Sequence, residues 1–384
     1  MQFGKENVFT RNTETMNKHN NSYTISKAIG IILVVIGHAV CPELLSKTIY
    51  LFHMPLFFFC SGCYCKIPTT PKEYLSFISK QIKRLYWPFV KWGIIFLLVH
   101  NILLSIHIYS HIETSTYTTE EIIRRLRLIL FSMTGQDPLI YQLWFLKQLF
   151  IASIMVCSLK FFISIRSLKE NMPLCLSLLI TITVITKYFH LFIPILGDVS
   201  LAFLSSSFFY LGSIHKLIHT TVKFNQKHIY ICVIILISIA WLYGPKIEML
   251  NYSYKNVTIL YVSSLLGIIM IREISKSLSK TKSRFLLYYI GNHTMVIFIW
   301  HLIAFKIGSL IKIAIFNYPT NRLPEYDLIA ENNDTFWIVY SFIGCFIPLS
   351  FQYIFSRIAY HPRQIKNIHH IIITKIKKHI HDFY

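Results

Sequence analysis

Acidic side chains are scarce in this sequence: 17 Asp and Glu stand against 38 Lys and Arg in 384 residues, and charged residues of both signs make only 14%. An ordinary water-soluble domain carries nearly twice that share, so this class is excluded. Other absences exclude more. No repeat of fixed period and no long low-complexity segment is present, and the first apolar run ends without a small-residue cleavage site, so it is expected to be retained rather than removed. Eight cysteines occur, but Cys60, Cys63, Cys65, Cys157, Cys175, Cys232 and Cys345 fall in or beside apolar runs, which does not suit a disulfide framework. Cys41 alone is expected to face an aqueous loop.

What fills the sequence instead is apolar: 54% hydrophobic residues and a mean hydropathy of +0.51 place the chain in a bilayer. The formal net charge of +21 does not read as a nucleic-acid surface, because Lys and Arg sit in short clusters between apolar runs. Ten runs approach the length needed to cross about 30 Å of hydrocarbon at roughly 1.5 Å per residue. They cover 23–40, 48–65, 86–106, 143–164, 172–187, 195–214, 228–244, 257–271, 285–308 and 335–356. Segments on the N-terminal side of this zigzag hold 24 Lys and Arg against nine on the other, so both termini are expected in the cytoplasm. The expected fold is all-α and polytopic. It divides into a cytoplasmic segment 1–22, a transmembrane domain 23–356 and a basic cytoplasmic tail 357–384. Ile, Lys and Asn richness fits an AT-rich bacterial genome, hence a bacterial cytoplasmic membrane. The outer loop 107–142 contains "TTEEIIRRLRLILF", where Thr118 and Glu121 have capping-box spacing before an amphipathic run, which predicts a short surface helix. The tail "NIHHIIITKIKKHIHDF" suits an anionic inner leaflet better than a metal.

The stretch "FHMPLFFFCSGCYC", residues 52–65, invites a metal reading. On a helix Cys60 and Cys63 share a face, Cys65 does not, and His53 lies about two turns away, so no metal site is expected. Small Ser61 and Gly62 point to close helix packing. Histidines inside spans are costly and draw attention to function. His38 in "IGIILVVIGHA" falls about 8 Å below the outer boundary, His53 at a similar depth, and His301 in "VIFIWH" within roughly 6–8 Å of the outer end. Trp144 and Phe145 of "LWFL" start the fourth span on that side. The opposite stratum is cationic: Lys27 opens the first span, Lys80, Lys83 and Arg84 in "SKQIKRLYWP" precede the third, and Lys282 and Arg284 precede the ninth. Positive-inside topology explains part of this; a phosphorylated cytoplasmic ligand would also suit it.

Four stretches in order, "SKAIGIILVVIGH", "FHMPLFFFCSG", "LWFL" and "YIGNHTMVIFIWH", resemble the acyltransferase-3 family of integral-membrane acyltransferases, in its fucose 4-O-acetylase-like branch. The resemblance spans residues 26–301. It implies about ten helices and transfer of an acyl group, usually acetyl, from cytoplasmic acyl-CoA to a hydroxyl of a surface polysaccharide, a lipid-linked glycan or a small molecule. It carries the family's histidines to His38 first, then His53 and His301. The family's basic motif matches at Arg84, Leu85 and Pro88, but Gln81 stands where its first Arg is expected, which leaves Lys80 or Lys83 to substitute. Thr24 replaces an acidic residue common before the first helix, while Lys27 fits the basic position.

The residues agree with that chemistry. A sugar hydroxyl is a poor nucleophile, and a neutral imidazole can take its proton as it attacks a thioester. His38 is expected to be that base, with His53 or His301 setting its tautomer or stabilising the oxyanion. A route through acetyl-His stays open. Lys27, Lys80, Lys83 and Arg84 are expected to hold acetyl-CoA, and Asp137, Gln142 and Trp144 of "GQDPLIYQLWF" the acceptor, although Trp144 equally suits an interfacial aromatic belt. Two other classes remain: a transporter or glycan flippase, which predicts acidic partners inside spans or an internal repeat, and an assembly scaffold, which leaves the histidine stratum without a role.

Overall fold

The computed structural model describes residues 6–110, 114–167, 169–215, 227–244, 246–325, 327–331 and 335–356. Among these the chain is mostly helical, with one antiparallel hairpin pairing Phe192–Ile193 with Gly197–Asp198. The helices are α1 (Glu6–His38), α2 (Glu43–Tyr50), α3 (His53–Cys63), α4 (Pro71–Gln81), α5 (Trp87–Ser105), α6 (Thr119–Ser132), α7 (Trp144–Ile165), α8 (Met172–Tyr188), α9 (Val199–Ser213), α10 (Lys227–Leu242), α11 (Val257–Leu278), α12 (Arg284–Asn292), α13 (Thr294–Phe316) and α14 (Trp337–Ser356).

Six stretches are long and apolar enough to cross a membrane: Glu43–Cys63, Pro71–Ser105, Pro138–Ile165, Tyr254–Leu278, Thr294–Phe316 and Trp337–Ser356. The other four expected spans correspond to shorter apolar helices, Ser22–His38, Met172–Tyr188, Val199–Ser213 and Lys227–Leu242. Seventeen residues, the length of the longest of these, reach only about 26 Å. The architecture is thus that of a multi-pass membrane protein.

Prolines set two local departures from straight spans. Pro55 has no N–H, so the carbonyl of Leu51 loses its helical donor; the hydroxyl of Ser264 on α11 donates to it instead at 3.0 Å. The expected second span therefore breaks between α2 and α3, and His53 becomes the first residue of α3. Pro88 likewise cannot donate to Arg84. The segment Ile82–Tyr86 adopts π-helical pairing, with the Trp87 N–H donating to the Ile82 carbonyl. This turn leaves Lys83 exposed and buries Leu85.

Glycines bring the central helices together. A Cβ at Gly62 would overlap the carbonyl of Phe209, and one at Gly212 the carbonyl of Phe59, so α3 and α9 touch backbone to backbone. The small residues of "CSGC" thus serve packing as expected. A Cβ at Gly291 would likewise overlap the Thr24 carbonyl, which seats α12 against α1.

Other departures concern the ninth span and Cys41. The helix expected over 285–308 breaks at His293 and resumes as α13, which runs on to Phe316. Lys312, expected in an outer loop, lies in α13 at 1% exposure, and its ammonium donates to the Ile329 carbonyl at 3.1 Å. Cys41, expected to face water, is buried, and burial pushes its thiol up. The surface helix is present as α6: the Thr118 hydroxyl accepts from the Glu121 N–H at 3.3 Å, and Ile129 packs over Gly93 of α5. The basic tail 357–384 lies outside the described residues.

Candidate active site

Two cavities share three helices. The smaller, about 260 Å³, is lined from α1 by Val34 and His38, from α3 by His53 and Met54, and from α7 by Trp144. The larger, about 890 Å³, is lined from the same helices by Thr24 and Lys27, by Ser61, and by Leu149 and Ser153. Lys27 and His38 are 11 residues apart on α1, hence about 16 Å along its axis. Between the cavities stand Phe57 and Phe58 of α3 against Phe145 of α7, ring centroids 5.7 and 5.1 Å apart, with Phe298 of α13 5.5 Å from Phe145.

The three expected histidines meet at the small cavity. His38 ends α1, and its ring centroid lies 5.4 Å from that of His301. Tyr50 joins the other two members, at 6.3 Å from His38 and 4.8 Å from His53. Their roles differ by exposure. His38 is half-buried, whereas His53 at 3% and His301 at 0% are enclosed, and of that pair only His53 lines the cavity. Backbone carbonyls fix the tautomers of the enclosed pair: Nδ1–H of His53 donates to Ile49 at 2.9 Å, and Nδ1–H of His301 to Ile297 and Phe298 at 3.0 Å each. Each therefore keeps its lone pair on Nε2. The Nε2 of His301 has no hydrogen-bond partner. An orphaned buried acceptor costs about 1–3 kcal/mol, an expense that marks functional sites.

The depth expected for His301 is altered. Because α13 extends 15 residues beyond it, the helix continues for about 22 Å past the histidines. His38 and His301 adjoin because α1 packs against α13 there, with His301 well inside its helix and not near the end of it.

The basic residues gather at the other cavity. Lys27, Lys80 and Arg84 line it, and Lys66 and Lys72 join them, with Glu73 as the one acidic lining residue. Lys27 lies over the ring of Tyr64 at 5.2 Å, itself hydrogen-bonded to Thr24 at 2.9 Å. Lys83 does not line this cavity. Nor do Lys282 and Arg284.

Of the residues expected to hold an acceptor, Gln142 and Trp144 line the histidine cavity. The Gln142 amide donates to the Phe298 carbonyl at 3.1 Å, and its Oε1 is buried with no partner. Asp137 points elsewhere. It is 2% exposed, receives Nδ1–H of His100 at 2.5 Å and the hydroxyl of Tyr109, and His100 stacks on Tyr117 at 3.4 Å. This cluster ties the loop after α5 to the start of the 3-10 turn Pro138–Leu143.

Tyr50, Tyr141, Lys246, Glu248 and Asn251 line the histidine cavity without having been singled out by sequence. Lys246, in the loop after α10, sits over the Tyr50 ring at 3.2 Å, with Glu248 at 3.8 Å. Burial pulls its ammonium below the usual lysine range, against the attraction of Glu248. A single Lys–x–Glu in a loop carries no sequence signal of its own. Tyr141 did stand within the quoted "GQDPLIYQLWF", but its partner His38 lies 103 residues away.

The described residues contain no group of three or more His, Cys, Asp or Glu that could hold a metal. The cysteines pack: Cys60 is fully buried, and the sulfurs of Cys65 and Cys157 lie 3.0 Å apart.

Searches of curated proteins and of solved structures returned no match. A family model described as an acyltransferase domain does match, over residues 20–357, and so covers every element that lines the two cavities. With histidines, basic cavity and nearly the whole chain inside that match, this protein belongs to the acyltransferase-3 family of membrane acyltransferases.

Proposed function

We propose that this acyltransferase is an acetyl-CoA-dependent O-acetyltransferase of the fucose 4-O-acetylase-like branch, acting on a hydroxyl of a surface polysaccharide or its lipid-linked precursor. The observation that carries the reading is the pairing of two cavities on α1, α3 and α7, one basic and one histidine-lined. In this reading all ten apolar helices cross a bacterial cytoplasmic membrane with both termini inside, the four short ones where surrounding helices or local thinning accommodate them. The basic cavity then opens to the cytoplasm. Lys27, Lys80 and Arg84 hold the phosphates of CoA, and Lys66 and Lys72 add to the field.

The thioester reaches His38 past the Phe57, Phe58 and Phe145 rings. The acceptor enters from the outer side against Trp144, Gln142, Lys246 and Glu248. His38 takes the hydroxyl proton as the oxygen attacks the thioester carbon; the C–S bond then breaks, and the CoA sulfur takes the proton back. His53 and His301, fixed by backbone carbonyls, shape the field around that ring.

The test follows label from acetyl-CoA into surface glycans in membranes bearing the wild type or His38→Ala. Incorporation is expected with the wild type and not with the variant. Equal incorporation in both would remove His38 from the chemistry, and none above protein-free membranes would end the enzyme reading.

A further inference from the structure

One contact of His38 reaches outside the stretches that carry the family resemblance. Tyr141, in the 3-10 turn Pro138–Leu143, places its hydroxyl 2.9 Å from Nδ1 of His38. The same hydroxyl donates to Oδ2 of Asp327 at 3.3 Å. A carboxylate accepts hydrogen bonds only, so the tyrosine proton is directed to Asp327 and the tyrosine oxygen is left to accept from Nδ1–H of His38. That order of donors fixes one tautomer. His38 keeps its lone pair on Nε2, the nitrogen not engaged by Tyr141.

The segment that presents Asp327 is held for the purpose by α13, the helix that also carries His301. The Lys306 ammonium donates to the carbonyls of Leu323 at 3.2 Å and Glu325 at 2.5 Å. Farther along, Lys312 holds the Ile329 carbonyl at 3.1 Å, and the Ile329 N–H donates to Ser309 at 3.4 Å. Asp327 itself has a φ of +52°, in the left-handed region that aspartate tolerates better than most non-glycine residues. Two lysines that are 4% and 1% exposed therefore secure the chain on both sides of an aspartate that reaches the candidate base through one tyrosine.

We propose that Tyr141 and Asp327 are positioning residues for His38, forming a relay of hydrogen bonds Asp327–Tyr141–His38 that orients the imidazole and steadies its charged form. The inference rests on the reading of His38 as the base. No proton travels along the relay. The acceptor proton moves to Nε2 of His38, Nδ1–H continues to donate to Tyr141, Tyr141 continues to donate to Asp327, and the proton on Nε2 leaves with the CoA sulfur. The carboxylate acts through the tyrosine as the imidazolium forms, a role that needs an intact hydroxyl between them.

The dependence of one member on another gives the test. Full-length protein in membranes is assayed with acetyl-CoA and surface glycans as wild type, Tyr141→Phe, Asp327→Asn and the double variant, with kcat and the KM for acetyl-CoA determined separately. Each single change is expected to lower kcat at least tenfold and leave KM for acetyl-CoA within twofold. The double variant is expected to be no slower than Tyr141→Phe alone, because Asp327 acts only through that hydroxyl. Multiplicative losses in the double variant, a rise in KM in place of a fall in kcat, or wild-type kcat in Tyr141→Phe would overturn the relay. These outcomes are separate from failure of the functional reading, which shows as absent transfer by the wild type and would overturn the relay with it. For variants with too little activity to measure, modification of His38 by diethyl pyrocarbonate is followed by mass spectrometry. A several-fold change in rate in Tyr141→Phe supports the tautomer argument, and an unchanged rate refutes it.

Discussion

The two cavities share three helices and yet differ in nearly every property. The histidine cavity, about 260 Å³, holds His38 and His53, fixed by hydrogen bonds to Tyr141 and to the Ile49 carbonyl, with Lys246 and Glu248 also in its lining. The basic cavity, about 890 Å³, is bounded by long cationic side chains, of which Lys66, Lys72, Lys80 and Arg84 are exposed. Rigid, desolvated groups suit a chemical step, where stabilisation must be present before charge develops. Flexible surface cations suit the capture of a large charged ligand, where the gain per contact is modest. The difference teaches that one helix, α1, presents different chemistry at Lys27 and at His38, only 11 residues apart.

The largest effect should come from the rigid end. His38→Ala is expected to lower kcat by about 10²–10⁴, the usual contribution of a general base, with the KM for acyl-CoA little changed. A loss confined to KM would erase the division between the cavities. At the flexible end, Arg84→Glu is expected to raise the KM for acyl-CoA by about tenfold with kcat nearly constant, and Lys83→Glu, one residue away but off the cavity, to change neither. Equal effects at the two positions would mean that overall charge, not the cavity, attracts the ligand.

Smaller still is the effect expected on the boundary. Phe145→Ala should widen the passage between the cavities and raise the ratio of propionyl to acetyl transfer a few-fold, below the roughly 10–200-fold that one methylene can contribute. An unchanged ratio would place the acyl path elsewhere.

The smallest effect belongs to α6, outside both cavities. Glu121, hydrogen-bonded to Arg124 and also to Arg125, has its carboxyl held down to about 2, from an ordinary value of 4.5. A depressed carboxylate pKa contributes stability that is fully present above 4.5 and lost as pH falls toward 2. At this solvent-facing position the contribution is small, so Glu121→Gln should shift the melting temperature slightly at pH 7 and not at all near pH 2. A larger shift at low pH would reverse the sign and refute the assignment.

Much of this arrangement was legible in the sequence. The apolar runs, the capping box of α6 and the packing role of "CSGC" follow from local pattern; His38, His53 and His301 were grouped by depth, and two of them do lie side by side although α13 continues well past His301. Other features were not, for identifiable reasons. The break at His293 follows the helix-stop residues Gly291 and Asn292 but no proline, and the apolar run around them read as one ninth span. Asp137 stood beside Gln142 and Trp144 in sequence, but its carboxylate turns to His100, 37 residues earlier, and away from the histidine cavity.

By itself the sequence determined that this protein lives in a membrane, because 54% hydrophobic and 14% charged residues leave no other solvent for it. It also set His38, His53 and His301 inside apolar runs, where a histidine is costly. Only the tertiary structure decided which of them opens to a cavity, that Arg84 and not Lys83 faces the basic end, and that Tyr141 and Asp327 reach His38 from 103 and 289 residues away. Those facts depend on helix packing, a proline-induced π turn and three carbonyls held by two lysines, much of it contact between distant parts of the chain. No local pattern encodes them.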